Sequence, residues 1–513
     1  MFDLAIPGHL TAALGPDLVL MAGAMMLLLW SAWRPDSAAH QRRVGYGAIG
    51  VSALTLATVV WFAMQRQSAT LGPIAVDEFR WVVDGVILLG TIAAIALAIE
   101  ENDRQGITAA EQHVLILLAS SGMMLLAAAR DLMIVFLGIE LMSVSVYALA
   151  GINRRSARSA EGALKYFLLG AFSTAFLLYG IALLYGATGA TNVAVIGQRI
   201  SEGGLSGNPL LLVGIALLLV GFGFKVSAVP FHMWAPDVYD GAPTAVTAYM
   251  AATVKAAAFA SFLRVWLEAF PPVFQKWYPA VAMLAIVTML VGNAIGLVQR
   301  NLKRLLAYSS IGHAGYLMVA IAAPTVQSAS ALVFYLLAYT LATYGAFAII
   351  IALTRPGAYT VTTEDVSGLW NERPGLAIAM AVFMLALLGF PVFGGAGFLA
   401  KWYVIKAILQ AVIPQTTLAV WLVLTSVLAA GYYLYVVMVM FMRPRPDGAL
   451  PLPASGALTR AVFVTAAVAT LVLGVAPDLV VRWADAARPR LGVVPIPAPM
   501  ATAAPPADAG PIR

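Results

Sequence analysis

Five of the seven lysines of this chain, Lys165, Lys225, Lys255, Lys401 and Lys406, fall inside strongly apolar runs, while nearly every arginine lies in a polar connection. An ionisable side chain near mid-membrane costs about 2.5 to 3.5 kcal/mol on insertion scales, so its presence there points to function. The choice of lysine narrows that function. Arginine stays protonated above about pH 12, whereas a buried lysine can titrate near neutrality and so load and release protons. The competing explanation for each is an amine that snorkels or is structurally paired.

Lys225 stands in GFGFKVSAVPFHMW, with Pro230 five residues on. That proline removes the N–H that would bond back to Val226, so helical hydrogen bonding fails just beyond the lysine. Lys401 repeats the combination in reverse order, with Pro391, Gly394, Gly395 and Gly397 before it in LLGFPVFGGAGFLAKWYVIK. The stretch 374–411 is too long for one straight span and predicts two half-helices around a glycine-rich break. Interrupted helices at corresponding places in two halves of a transporter mark its transport sites. Lys255, in TAYMAATVKAAAFASF, sits mid-span among small residues that permit close helix packing. Lys165 follows Glu161 by four residues, an i,i+4 pair that fits a structural role as well as a functional one. Lys406, near the end of its run, reads as a boundary residue.

Glu140, in MIVFLGIELMSVSVYAL, is the carboxylate at the centre of a strongly apolar span. Beside a lysine both groups stay charged, and drawing the carboxylate away frees the lysine's proton, so such a pair is a switch. Asp84, three residues into its run, reads as interfacial. His232, seven residues after Lys225, and His313, in YSSIGHAGYLMVA, are relay candidates at physiological pH, with hydrogen-bonded packing as the alternative. His9, His40 and His113 read as interfacial. No two histidines share a helix at haem-ligand spacing, and no GxGxxG, Walker A or HExxH pattern occurs, so no metal, nucleotide or NADH site is expected.

These residues need a membrane scaffold to position them, and the composition supplies one. The 513 residues are 61% hydrophobic and 11% charged, with a mean hydropathy of +0.89, which excludes a soluble domain. Cysteine is absent, removing disulfides, iron–sulfur ligation and thiolate chemistry together. The net charge of +6 is scattered through short loops rather than gathered in a stripe, so nucleic acid is not a partner. Fourteen apolar runs near the membrane-crossing length start near Asp17, Val44, Val82, His113, Leu132, Ala163, Pro209, Ala242, Tyr278, Arg304, Ser328, Pro374, Thr416 and Arg460. The expectation is an all-α polytopic membrane protein whose residues 1–490 form one helical domain. Loops after odd-numbered spans hold 15 basic residues. Internal loops after even-numbered spans hold six, Arg66, Arg80, Arg130, Arg199, Arg264 and Lys276, and the C-terminal tail adds Arg482, Arg488, Arg490 and Arg513, which directs both termini away from the cytoplasm. Residues 491–513, rich in proline and alanine, read as a disordered tail. The N-terminus lacks a basic segment and cleavage site, so no cleaved signal is expected.

At these residues the chain resembles the antiporter-like membrane subunits of respiratory complex I, the proton-pumping NADH:quinone oxidoreductase. Its strongest element is FKVSAVPFHMWAPDVYDGAPTAVTAYMAATVKAAAF, where DVYDGAP favours the subunit N branch. FLGIELMSVSVYAL, NLKRLLAYSSIGHAGY and GFLAKWYV add to it. The resemblance spans nearly the whole chain. It implies two inverted five-helix repeats, spans 4 to 8 (about 113–265) and 9 to 13 (about 278–442), with spans 7 and 12 broken. It also implies a proton relay: Glu140 as interacting carboxylate, Lys225 as its partner, Lys255 as the centre and Lys401 as the terminal group. His232, His313, Glu161 and Lys165 fall in family motifs with less defined roles. Ala400 and Trp402 depart from the family's more usual Gly and Phe, which bears on local packing rather than on the titrating amine.

The resulting expectation is a proton-translocating subunit in the inner membrane of the cell, surrounded by lipid and by neighbouring antiporter-like and small membrane subunits. No cofactor is expected in this chain. Flavin, iron–sulfur clusters and quinone are expected in partner subunits. A component of a multisubunit sodium/proton antiporter is the transporter-class rival, and a scaffold with merely paired lysines is the structural one.

Overall fold

In the computed structural model, residues 4–34, 37–65, 69, 72–323, 325–358, 360–391, 395–411, 413–448, 451–478 and 480–482 are described. Gly394, Arg66 and the expected tail 491–513 lie outside the described residues.

Among the described residues, thirteen helices are long and apolar enough to cross a membrane. In chain order they are span 1 (Gly15–Ala32), span 2 (Ala38–Met64), span 3 (Glu78–Gln105), span 4 (Glu111–Ala128), span 5 (Leu132–Ala150), span 6 (Ala157–Thr188) and span 7 (Pro209–Val226). Span 8 (Thr244–Ala269) follows, then span 9 (Phe274–Gly296), span 10 (Leu302–Ala322), span 11 (Val326–Leu353), span 13 (Thr416–Met442) and span 14 (Ala457–Val475). Span 12 is the fourteenth, made of two pieces, Pro374–Leu388 and Ala396–Leu409. The expected count and both breaks are therefore present. Helix starts are set by short polar side chains: Ser37, Asp77, Asp131, Ser156, Asn208, Asn301 and Thr325 each accept a backbone N–H of the first turn.

Spans 8, 10 and 11 are the most enclosed, and spans 2 and 14 the most exposed. The enclosed spans are those carrying Lys255 and His313, so the polar groups lie on the axis of the bundle rather than towards lipid.

A numerical recurrence runs through the architecture. Asp131 and Asn301 cap spans 5 and 10, and the N–H groups that follow, Leu132 and Leu302, donate to Thr191 O and Val361 O, each at 2.9 Å. Gly122 lies against Met142 N, and Gly292 against Gly312 N; a Cβ on either glycine would stand 2.5 Å from that nitrogen. Each second member lies 170 residues after the first (131 to 301, 122 to 292, 142 to 312). The shift moves the chain on by five spans, an odd number, so the second copy crosses in the opposite direction. Under this equivalence Glu140 corresponds to Ser310 and Ser143 to His313.

One end of the bundle holds buried ion pairs that the hydropathy pattern does not announce. Arg80, fully buried, reaches Asp17 and, at 3.4 Å, Asp84. Arg264, also fully buried, makes a two-pronged contact with Asp77 at 2.7 and 3.0 Å. Arg130 joins Glu268 at 2.9 Å. Asp84 was expected at the interface; it is completely enclosed because Arg80, one turn earlier on the same helix, turns inward beside it. His40 and His113, also expected to be interfacial, sit in first turns of spans 2 and 4 but are buried between helices, with His113 Nε2 3.1 Å from Gln41 Nε2.

Candidate functional site

Lys225 occupies the last turn of span 7. The helix stops at Val226, where Ser227 takes the left-handed conformation (φ 61°), and the chain runs irregularly to the short helix Ala235–Gly241. Groups released by the break find new partners. Trp234 Nε1 donates to Phe224 O at 3.2 Å, and Val229 N donates to Thr288 Oγ1 at 3.0 Å. The amine of Lys225, 4% exposed, donates to Ser143 Oγ at 2.6 Å and Tyr147 OH at 3.2 Å on span 5. Glu140, one turn before Ser143, is only partly buried and forms no ion pair with Lys225. The structure thus brings the two expected partners to adjacent turns without joining them, because the lysine is already held by the serine and tyrosine hydroxyls.

Lys255, 1% exposed, follows a single π-helical stretch, Met250–Val254. Such widened turns inside α-helices concentrate at functional sites, since they shift the register of side chains on either side. Its amine donates to Ser310 O at 2.7 Å and Ser310 Oγ at 2.5 Å. Neighbouring hydroxyls are satisfied among themselves: Thr253 with Tyr344 at 2.7 Å, and Tyr249 with Ser120 at 2.6 Å.

One turn beyond Ser310 on span 10 stands His313. Its Nδ1 is 2.7 Å from Tyr335 OH and its Nε2 3.2 Å from Tyr433 OH, so its tautomer decides which tyrosine donates. Tyr433 also bonds Ser309, and its ring neighbour Tyr432 donates to Asn293 Oδ1 at 2.9 Å. The amide of Asn293 in turn donates to Tyr316 OH at 2.9 Å. This tyrosine cluster was not identified in the sequence reading. Tyrosine normally marks membrane interfaces, so Tyr335 and Tyr339, well inside span 11, were a signal of polar surroundings at depth.

Lys401 lies in the second piece of span 12 and is 6% exposed. Its amine donates to Leu388 O at 2.8 Å and Ser426 Oγ at 3.0 Å, over the ring of Tyr316 at 4.5 Å. Leu388 is the last residue of the first piece, so the lysine bonds a carbonyl near the exposed negative end of that helix. Gly389 makes this possible. It has φ 82°, and an added Cβ would come within 3.1 Å of Lys401 Cδ. Ala400 is buried, while Trp402 points outward at 50% exposure, so the departures from the usual motif leave the amine in place.

Lys225, Lys255 and Lys401 are thus three enclosed amines, two beside broken helices and one after a π turn, each held by hydroxyl or carbonyl oxygens, with His313 one turn from the serine that holds Lys255. Residues 129–442 match the family pattern described as NADH:quinone oxidoreductase/Mrp antiporter, transmembrane. NADH-quinone oxidoreductase subunit N of Gemmatimonas aurantiaca is 51% identical over 494 residues, covering 94% of each chain. The chain belongs to the subunit N family of NADH-quinone oxidoreductase. A chain of respiratory complex I from Thermus thermophilus, solved with bound aureothin, superimposes with a TM-score of 0.76 at 36% identity, covering 91% of this chain and 98% of that one. A chain of the Mrp complex of Dietzia sp. gives 0.81 at 22% identity, covering 93% and 97%, a likeness of fold.

In this subunit N family member the DVYDGAP motif is a junction. Asp237 accepts from Lys165 at 3.0 Å and Arg304 at 2.9 Å, and Lys165 also pairs with Glu161 at 2.7 Å. Asp240 accepts from Asn301 Nδ2 at 2.7 Å, and Lys303 donates to Asp240 O and Ala242 O. Glu101 then caps span 8 by accepting Thr244 N and Ala245 N, both at 2.7 Å. The motif therefore ties spans 3, 6, 8 and 10 together at one end. Glu161 and Lys165 sit in this exposed cluster, apart from the buried row. His232 lies in the break of span 7, half-buried, with Nδ1 unpartnered, and Lys406 is exposed. Among the described residues no three His, Asp or Glu side chains converge as a metal site.

Proposed function

We propose that this subunit translocates protons within the membrane arm of complex I, driven by quinone reduction in partner subunits that carry the flavin and iron–sulfur clusters. The observation that carries the reading is the environment of Lys225, Lys255 and Lys401. Each is enclosed, each is held by hydroxyl or carbonyl oxygens, and among the described residues only Lys165 of all the lysines forms an ion pair. An ammonium is satisfied by these oxygens, and a neutral amine can still donate to them, so both protonation states fit the same site.

Glu140 supplies the coupling. It stands partly exposed on the flank of span 5 without a partner among the described residues, one turn from the group that holds Lys225. A charge arriving from a neighbouring subunit, or a swing of Glu140 towards Lys225, stabilises the ammonium; withdrawal lets the proton leave. The proton then passes by way of Lys255 and the His313 cluster to Lys401, through hydroxyl groups and water.

The membrane is read as the bacterial inner membrane, with both termini away from the cytoplasm. Arg80, Arg130 and Arg264, three of the six basic residues in the internal loops of that side, are held in buried ion pairs. In the opposite loops Arg42, Arg154, Arg304, Arg355 and Arg445 are paired as well, five of the fifteen, so pairing leaves the direction of the bias unchanged. A sodium/proton antiporter component is disfavoured by DVYDGAP and by the full-length identity to subunit N.

The test is Glu140→Ala and Lys225→Ala in the assembled complex, with NADH:quinone turnover and proton uptake into vesicles measured together. Assembly is expected to persist while both activities fall; assembled complex with normal pumping overturns the reading.

A further inference from the structure

Spans 12 and 14 diverge on the outside of the bundle and leave a groove of about 500 Å³ between them. Its walls are apolar: Ile378 and Val382 on one side, Phe463, Val464, Val468 and Leu471 on the other, with Ala379 and Ala467 leaving its floor open. Val464 and Val468 are 47% and 55% exposed, so no described residue covers them.

The mouth has a different chemistry. Arg373, immediately before span 12, and Arg460, in the first turn of span 14, both line it, together with Ser455. Arg460 is exposed and its guanidinium has no hydrogen-bond or ion-pair partner among the described residues; Arg373 spends one N–H on Leu452 O at 3.4 Å. One acid, Glu372, lines the mouth beside the two arginines, but it and the nearby Glu100 are both engaged. Glu372 pairs with Arg445 at 3.1 Å, and Glu100 caps span 14 by accepting Leu458 N and Thr459 N. The mouth therefore presents two uncompensated positive charges.

Its dimensions identify the occupant. Leu471 lies 11 residues beyond Arg460, and Val382 nine beyond Arg373. At about 1.5 Å per residue the groove runs about 14 to 17 Å inward from the arginines, close to half of a hydrocarbon core of about 30 Å. An apolar slot one leaflet deep, opening sideways to lipid and headed by paired guanidinium groups, matches an acyl chain beneath a phosphate.

We propose that this groove is a binding site for an anionic phospholipid, with the headgroup phosphate on Arg373 and Arg460 and an acyl chain along spans 12 and 14. The occupied groove would brace the outer wall of the broken span that carries Lys401.

The test uses the purified complex in nanodiscs containing trace phosphatidylglycerol or phosphatidylcholine bearing a photoreactive acyl chain, with adducts mapped by peptide mass spectrometry. Phosphatidylglycerol is expected to label residues 374–382 and 460–471 at least tenfold more than phosphatidylcholine. The double variant Arg373→Gln/Arg460→Gln is expected to lower anionic-lipid affinity by about thirtyfold and equalise the two lipids. Ala467→Trp, which fills the slot and leaves the arginines in place, is expected to abolish labelling by both. Equal labelling of the parent complex by the two lipids, or a protein cross-link from a partner subunit in place of lipid, overturns the proposal.

Discussion

Lys225 donates to Ser143 Oγ at 2.6 Å, one helical turn beyond Glu140 on span 5. In the proposed switch the hydroxyl and the carboxylate are alternative holders of a single amine, and in the structure the hydroxyl holds it. Ser143→Ala removes that holder. A hydrogen bond to a charged group contributes about 1.5 to 3 kcal/mol, so coupled turnover is expected to change by about tenfold or more, with Tyr147→Phe, at 3.2 Å, having the smaller effect. Unchanged turnover in Ser143→Ala would remove the hydroxyl from the switch.

Lys255 separates titration from mere charge. Lys255→Met keeps length without charge, and Lys255→Arg keeps charge without the ability to deprotonate. A proton relay requires both variants to lose pumping in assembled complex. If the arginine variant pumps normally, a fixed positive charge is all the site needs.

Gly389 ends the first piece of span 12 with φ 82°. Gly389→Ala imposes a left-handed conformation at about 1 to 2 kcal/mol and crowds Lys401 Cδ. The thermal midpoint of the complex should fall, and pumping should fall with it, whereas Gly375→Ala, where a Cβ meets open space, should leave both unchanged.

The Arg264–Asp77 pair is buried, so removing Asp77 leaves Arg264 with only the longer contact to Glu268 at 3.4 Å. Asp77→Asn is expected to destabilise by about 3 to 5 kcal/mol. Glu111→Gln, opposite an Arg154 that is 82% exposed, should lie within about 1 kcal/mol of the parent. Heat denaturation of detergent-solubilised complex compares them, and equal effects would show that burial of the first pair carries no penalty.

Asp237 gives a pH dependence. Partial burial pushes its carboxyl up, but hydrogen bonds from Lys165 and Arg304 outweigh this and hold it below the ordinary carboxylate range. Once unfolded, Asp237 takes up its proton near pH 3.9, by the usual value of about 3.9. A depressed folded value therefore stabilises fully above that pH and is lost as pH falls further through the folded value. Parent and Asp237→Asn should differ in thermal stability at neutral pH and converge below about pH 4. A constant difference across that range would mean the carboxylate's charge is irrelevant to the junction.

Much of this architecture was legible because membrane insertion is decided locally. Twenty apolar residues cross a bilayer whatever their neighbours do, and Pro230 ends a helix by its own backbone geometry; in span 12 the break was legible, but the residue that ends its first piece is Gly389, ahead of the glycines that marked it. The charges near span ends were misread for the opposite reason. Asp84 and His113 sit at the depth expected for interfacial groups, but whether they meet water depends on which helix packs beside them.

Residue type and position along the chain were enough to mark Lys225, Lys255, Lys401 and His313, because the penalty for placing an amine or imidazole at such depth belongs to the residue itself. Which oxygen each amine holds was settled only by packing: Ser143 instead of Glu140, Ser310 from the second repeat, Leu388 O released by a break. Those partners lie 13 to 82 residues away in the chain (401 to 388, 225 to 143), and no periodicity in sequence encodes a hydrogen bond between helices whose relative rotation is set by glycines and side-chain volume.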